Sequence, residues 1–490
     1  MTPLIPLIEK RQTMTDSNFS SLPLSKAMLH NLDEIGFKAM TPVQAESLPH
    51  ILKNCDVIVQ AKTGSGKTAA FGLGVLHKLH VKKFRVQSLI LCPTRELADQ
   101  VAKELRRLAQ ATHNVKILTL CGGAAFAPQY ESILHGAHII VGTPGRVLQH
   151  LDKEHLSLKD LEILVLDEAD RMLDMGFIDD INRVIAHTPE NRQTLLFSAT
   201  YPEKILKLSS AIQKNALNIQ TISGEQANKI TEYFYEVAYD KKTSMLIKAI
   251  AHHKPQNILV FCNTKVETQD VADGLSAAGI DALAIHGDLE QYQRNDVLVR
   301  FANKSCSVLV ATDVAARGLD IKELEMVVNY DIPQDEETYI HRIGRAGRAG
   351  KEGLAVTLFT SFQAFAMGAY RNVTRRFDDI NKLNKVADFT LTPPNVTIVL
   401  EGGKKDRMRP GDILGALTGE AGIEGKYVGK IDIYDRQSYV AIERSRLKQA
   451  YSYLKNGKIK GRTFPVWVFS EKKSGEGDKK KKAKPPRQQY

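Results

Sequence analysis

The chain has 490 residues, 43% of them hydrophobic and 25% charged, which is room for about three folded domains at roughly 150 residues each. Its longest apolar runs are too short for a membrane-crossing helix, and its five cysteines (55, 92, 121, 262 and 306) are scattered without a Cys-x-x-Cys pair. That spacing points to neither a disulfide framework nor a zinc site, and the cytoplasm is the expected compartment. The net charge of +11 is carried entirely by the last fifth: residues 394–490 hold 22 Lys/Arg against 11 Asp/Glu, whereas residues 1–393 hold 45 of each. Such asymmetry points to a polyanion contacted by the C-terminal part.

At the N-terminus, "MTPLIPLIEKRQ" places its basic residues after the apolar ones, the wrong order for a secretory signal. Residues 1–18 read as a flexible N-terminus. From 55 to 200, "DVIVQA", "SLILCP", "KILTLC", "HIIVGT", "EILVLD" and "QTLLFS" alternate with helical patterns. Strands apolar on both faces predict a parallel sheet covered by helices. The pattern restarts near 230 with "QNILVFC", "ALAIHG", "SVLVAT", "MVVNYD" and "LAVTLF". The expected fold is therefore α/β, with two parallel-sheet domains in tandem over 19–212 and 229–375, joined by 213–228. Prolines in "TLTPPNV" close a second linker at 376–393. Residues 394–470 then read strand, helix, strand, strand, helix, strand, the βαββαβ order of RNA-recognition modules. The Lys-rich tail, 471–490, has a composition that does not build a core; it is expected to be disordered, and to serve either as a nonspecific RNA tether or as an inert solubilising tail.

"AKTGSGKT" (61–68) follows a strand and opens a helix. Gly64 and Gly66 let the backbone curl so that its N–H groups face phosphates, Lys67 reaches the β and γ phosphates, and the Thr68 hydroxyl suits Mg²⁺. "VLDEAD" (165–170) ends another strand. Alone, its acids serve equally well as a helix cap. With the phosphate loop upstream, Asp167 reads as the metal ligand and Glu168 as the group that orients or deprotonates water. Ser198 and Thr200 of "FSAT" follow at the next strand end.

These motifs, with "PTRELADQ" (93–100), "TPGR" (143–146), "ATDVAARGLD" (311–320) and "HRIGRAGR" (341–348), resemble the DEAD-box RNA helicases in type and order over roughly residues 19–360. The resemblance implies two RecA-like domains that hydrolyse ATP with Mg²⁺ when RNA is bound, bending one strand of a short duplex rather than walking along it. It implies that Phe19 stacks on adenine, Gln44 reads its edge, Thr63, Ser65 and the rest of the loop hold phosphates, and Asp320 meets the ribose. Arg345 and Arg348 match the arginine fingers, and His341 links them to the cleft. RNA backbone contacts fall to Pro93, Thr94, Arg95, Gly123, Thr143, Gly145 and Arg146 in the first domain. In the second they fall to Asn263, Thr264, Gly287, Arg294, Thr312 and Asp313. A finger on the other domain makes hydrolysis conditional on closure, which RNA can favour by bridging both domains.

The C-terminal domain lacks the aromatic platform of a standard RNA-recognition module: its two central strands read "VTIVL" and "SYVAIE", with Tyr439 the single aromatic. In a sheet ordered 4-1-3-2, however, the exit of the first strand and the entry of the fourth share one end. Lys404, Lys405, Arg407 and Arg409 would meet Lys458, Lys460 and Arg462 there, a set suited to RNA phosphates. In "RPGDILGALTG", Pro410 and Asp412 suit a helix start, and Ile413, Leu414 and Leu417 are expected to face the core. "GGKKDRMRPGDILGALTG", "VGKIDI", "YVAIERS" and "GKIKGR" also resemble the C-terminal domain of one helicase subgroup. That resemblance implies binding to a 23S ribosomal RNA hairpin during large-subunit assembly. Separately, the chain is expected to be a monomer, with no obligate protein partner evident in the sequence.

Overall fold

The computed structural model describes residues 17–61, 64–221, 230–316, 324–333, 335–347, 352–363, 383 and 389–469. The first sheet contains β1 (Val57–Gln60), β2 (Ser88–Leu91), β3 (Ile117–Leu120), β4 (Ile139–Gly142), β5 (Ile163–Asp167), β6 (Gln193–Ser198) and β7 (Leu217–Gln220). All pairings are parallel, in the order β3-β4-β2-β5-β6-β1-β7. Helices cover both faces, so successive residues of one strand enter different cores. Val57 and Val59 pack with Phe71, Leu105 and Phe197, while Ile58 packs with Leu89, Leu164 and Leu196. This is why the strands read as unbroken apolar runs. Within 213–228, the segment read as a link, Leu217–Gln220 pairs with β1 at the sheet edge. Its burial is partial, so the sequence carries no apolar run to announce it.

The second sheet contains β8 (Ile230–Glu236), β9 (Ile258–Cys262), β10 (Ala282–Ile285), β11 (Val308–Thr312), β12 (Met326–Asn329) and β13 (Gly353–Phe359), all parallel and ordered β10-β11-β9-β12-β13-β8. From the segment 376–393, Phe389 and Leu391 pack against this core, and Leu391 bridges Ile280.

The third sheet is antiparallel: β14 (Asn395–Leu400), β15 (Val428–Ile433), β16 (Ser438–Glu443) and β17 (Val466–Val468), ordered β15-β16-β14-β17. This is the expected 4-1-3-2 arrangement. The helices Pro410–Gly415 and Leu447–Asn456 cover one face, and the first runs on into a π turn at Ala416–Glu420. Ile413, Ala416 and Leu417 reach the core, but Leu414 is 40% exposed. The helical spacing i, i+3, i+4 selects the first three and turns Leu414 about 100° away.

The other face of this sheet packs against the second domain, on the helix Gln291–Ala302 and the turn after it. Val399, Tyr439 and Phe469 meet Val299. The Tyr439 hydroxyl donates to Asp296 at 3.2 Å, and the Ser305 and Thr397 hydroxyls lie 2.8 Å apart. Asn303 donates to Thr397 at 3.2 Å and accepts from Asn395 through its carbonyl at 3.0 Å. The platform is thus covered by protein, which accounts for its lack of stacking aromatics.

Candidate nucleotide and RNA sites

In the first sheet the sequence-predicted residues separate by strand. The loops after β1, β5 and β6 carry Gly64–Thr68, Asp167–Glu168 and Ser198–Thr200; the loops after β2, β3 and β4 carry Pro93–Arg95, Gly123 and Thr143–Arg146. The sheet order keeps each trio contiguous, and both lie at the carboxyl ends where open α/β sheets bind ligands.

In the first trio, Gly66 lies at φ 96°, and a Cβ there would sit 2.5 Å from Gln44 Nε2. Gln44 is 1% exposed; its amide donates to the Gly66 carbonyl at 3.1 Å and accepts from Thr41 N–H at 2.9 Å. Phe19 is buried edge-on to Phe37. Lys67 begins the helix Lys67–Lys78, and its ammonium, the Ser65 hydroxyl and Asp167 Oδ1 are buried without a partner among the described residues. An uncompensated buried ion costs several kcal/mol. Burial pushes the Asp167 carboxyl up to about 6, with Lys67 pulling it down. A nucleotide's phosphates would satisfy Lys67 and Ser65, and a divalent cation would satisfy Asp167.

Glu168 has left-handed backbone, φ 53° and ψ 52°, worth about 1–3 kcal/mol of strain for a residue with a side chain. Its carboxylate is held by Arg171 Nη1 at 2.9 Å, and both side chains are buried. Asp170 Oδ2 accepts from Ala199 N–H, Thr200 N–H and the Thr200 hydroxyl at 2.9, 3.0 and 3.1 Å, and the Ser198 hydroxyl donates to the Thr200 carbonyl at 2.6 Å. The two acidic and hydroxyl motifs are therefore one hydrogen-bonded unit.

In the second trio, Thr94 caps the helix Arg95–Leu108 by accepting from Leu97 N–H at 3.2 Å, and Thr143 is the N-cap of Pro144–Asp152. Two helix N-termini from neighbouring loops offer N–H groups suited to phosphate. Arg146 donates to the Ala124 carbonyl and to Gln129, each at 3.0 Å, while Gln129 holds the Cys121 carbonyl at 2.9 Å. Together they fix the turn that carries Gly123, at φ 75°.

In the second sheet, Asn263 and Thr264 follow β9, Gly287 follows β10, and Thr312 and Asp313 end β11; these three strands are again neighbours. Arg294 lies in the helix Gln291–Ala302, and His341 and Arg345 lie on and just after the helix Glu336–Ile343. Arg342, buried over the Phe261 ring, organises this edge. It donates to both oxygens of Asp313 at 2.8 and 2.6 Å, to Asn263 Oδ1 at 3.0 Å and to the Asp331 carbonyl at 2.7 Å. Asp331 in turn accepts from Lys242 at 2.8 Å and from Asn263 N–H at 2.9 Å. The Asn263 and Asp313 side chains are thus committed to protein partners.

At the C-terminal domain, three loops converge. Lys404 and Lys405 N–H donate to the Tyr434 and Asp435 carbonyls at 2.8 and 3.0 Å, and Lys460 Nζ donates to the Arg407 carbonyl at 3.1 Å. Lys460 also lies 3.3 Å from Asp412. All seven expected cations are exposed there, joined by Arg436 on the β15–β16 turn. A Cβ on Gly403 would sit 2.4 Å from the Tyr434 carbonyl, and one on Gly402 2.5 Å from the Phe464 ring. These glycines allow the loops to meet.

Three family models match: DEAD/DEAH box helicase over residues 41–208, Helicase conserved C-terminal domain over 241–350, and DbpA RNA binding domain over 397–468. The ATP-dependent RNA helicase DbpA of Escherichia coli is 52% identical over 455 residues, covering 91% of this chain and 98% of the relative. The chain belongs to the DbpA-type DEAD-box RNA helicases. The helicase CshA of Geobacillus kaustophilus is 40% identical over 390 residues, covering 79% of this helicase and 81% of the relative. Among solved structures, the L327V variant of S. cerevisiae Dbp5 bound to RNA and ADP BeF3 superposes with a TM-score of 0.68 at 29% identity, covering 75% of this helicase and 97% of that chain. Mss116p bound to ssRNA and AMP-PNP gives 0.68 at 27% identity, covering 76% and 81%. This helicase is an RNA-dependent ATPase built from two RecA-like domains and an RNA-binding C-terminal domain.

Of the expected site residues, Thr63, Asp320 and Arg348 lie outside the described residues. Arg171, Asp170, Arg342 and Arg436 are the ones that motif reading passed over. The first three act through neighbours rather than at a strand end, and the last is one charge in a turn.

Proposed function

We propose that this helicase locally unwinds or remodels RNA at a 23S ribosomal RNA hairpin during large-subunit assembly, as a cytoplasmic monomer with domains at 19–212, 229–375 and 394–470. The observation that carries the targeting is the convergence of three exposed basic loops on one end of a domain whose sheet face is already taken. In the first domain, backbone N–H groups at 64–67 and Lys67 bind phosphates, while Thr68 and Asp167 would hold Mg²⁺. That ion, when bound, neutralises charge on the β and γ oxygens. Glu168 orients and deprotonates the attacking water, in a position fixed by Arg171. We assign Arg345 and Arg348 the finger role, and Ser198 and Thr200 the coupling of nucleotide state to the sheet edge. Thr94, Arg95, Gly123, Thr143, Gly145, Thr264, Gly287, Arg294 and Thr312 grip sugar and phosphate, which gives binding without sequence preference. Arg146, Asn263 and Asp313 support that grip by fixing their loops.

The test is RNA-stimulated ATP hydrolysis with a 23S hairpin fragment against a scrambled RNA of equal length. The hairpin should half-activate at a concentration at least about tenfold lower, with a steep salt dependence. Equal activation by both would sink the targeting while leaving the ATPase intact.

A further inference from the structure

Three loops meet at the amino-terminal edge of the first sheet, opposite both strand-end sets. Residues 79–87 lead into β2, 112–116 into β3 and 134–138 into β4, which are neighbours in the sheet. Between them opens a pocket of about 640 Å³ lined by Val81, Lys82, Phe84, Asn114, Val115 and Lys116.

Its walls are held by buried polar side chains. His138, 0% exposed, accepts from Lys116 N–H through Nδ1 at 3.0 Å and meets the Val81 carbonyl through Nε2 at 3.0 Å. Gln87 donates to the His80 and Lys83 carbonyls at 3.0 and 2.8 Å and accepts from His80 N–H at 2.9 Å. The loop so pinned presents hydrocarbon to solvent: Phe84 is 56% exposed and Leu134 65%. Phe84 rests on the His138 ring at 4.6 Å and against Gly136, where a Cβ would sit 2.8 Å from it. Phe84 thus stands exposed on an ordered loop beside the pocket, and ordered surface loops are where binding residues concentrate.

The rim supplies the sign of the partner. Residues 79–87, 112–116 and 134–138 contain four Lys/Arg and no Asp or Glu. Arg85 is paired with Asp160 at 2.9 Å and Lys116 donates to the His135 carbonyl at 3.2 Å, which leaves Lys82 and Lys83 exposed beside the apolar floor. We propose that this pocket docks an acidic segment of another protein, in which Asp or Glu residues flank one Phe, Trp or Leu. The apolar side chain fills the floor between Val81, Val115 and Phe84, and the flanking carboxylates meet Lys82 and Lys83. A phosphate backbone calls for cations along a track, whereas here Lys82 and Lys116 line one pocket together with Val81, Phe84 and Val115, a pattern that suits an anchored peptide. The site is remote from the ATP and RNA residues, so docking recruits a partner without changing turnover.

The test pans a displayed library of random nonapeptides on the full chain, then measures the enriched peptides by fluorescence anisotropy. Enriched sequences should carry Asp or Glu around a single large apolar residue. Binding should weaken at least tenfold in Phe84→Ser and in Lys82→Glu with Lys83→Glu, while RNA-stimulated ATP hydrolysis stays at the wild-type rate. Replacing the peptide's acids by Lys should restore binding to the doubly charge-reversed chain, which a merely damaged loop would not do. No enrichment, enrichment of peptides without acids, or equal binding to Phe84→Ser overturns the proposal. So does displacement of the peptide by oligouridylate at matching concentration, which would make this an RNA surface.

Discussion

The nucleotide loop of the first domain and the basic end of the C-terminal domain both carry cations suited to a polyanion, yet they are built in opposite ways. The first buries its charges: Lys67 and Asp167 are almost wholly buried, and the Lys67 ammonium and Asp167 Oδ1 have no hydrogen-bond partner among the described residues. The second leaves its cations in water and fixes only the backbone beneath them, through Gly402, Gly403 and the carbonyls of Tyr434 and Asp435. Chemistry needs its groups within fractions of an ångström, so one short loop with a strict spacing supplies them. Binding of a large polyanion sums many weak contacts, so it tolerates loose spacing drawn from distant loops.

The contrast is broken most severely at Glu168. Glu168→Gln should cut turnover by about 10²–10⁴-fold while ATP and RNA still bind together, read by phosphate release and filter binding; turnover within tenfold of wild type would refute its role. Arg171→Met should lower kcat by about tenfold or more through misplacement of Glu168, with KM for ATP little changed and partial recovery in Arg171→Lys. If KM rises instead, Arg171 serves the phosphate loop. Replacing Lys404, Lys405, Arg407 and Arg409 with Ala should raise the half-activating hairpin concentration about tenfold without altering kcat at saturating RNA, and should flatten the salt dependence. An unchanged half-activating concentration would remove the basic end from recognition. Tyr439→Phe should have the smallest effect, loss of about 0.5–1.5 kcal/mol from the packing of the C-terminal domain on the second domain, followed by thermal unfolding.

The same contrast explains what could be read beforehand. Strand-end motifs such as "AKTGSGKT" and "VLDEAD" are legible because consecutive residues do consecutive jobs, and the apolar runs announce their strands. β7 and β8 escaped notice because their burial is mixed, so no apolar run stands out. The C-terminal topology was legible, and with it the meeting of the 404–409 and 458–462 loops, but Arg436 joins them only through the β15–β16 turn. Arg342 reads in the sequence as one more basic residue of "HRIGRAGR"; that it ties Asn263 to Asp313 depends on strand ends 79 and 29 residues away. Leu414 shows the limit of apolar patterning: it is 40% exposed because it lies about 100° around the helix from its buried neighbour Ile413.

The sheet face of the C-terminal domain, closed by Val299, Asp296 and Asn303, has a consequence for how such proteins diversify. A surface packed against a neighbour changes slowly, because each substitution must suit both sides. The loops at the far end carry no such obligation beyond their two glycines. With target choice in the exposed cations, as proposed above, attachment and target choice become separable traits, and a duplicated gene could acquire a new RNA target by altering a few of those cations while its mounting on the second domain stays as it was.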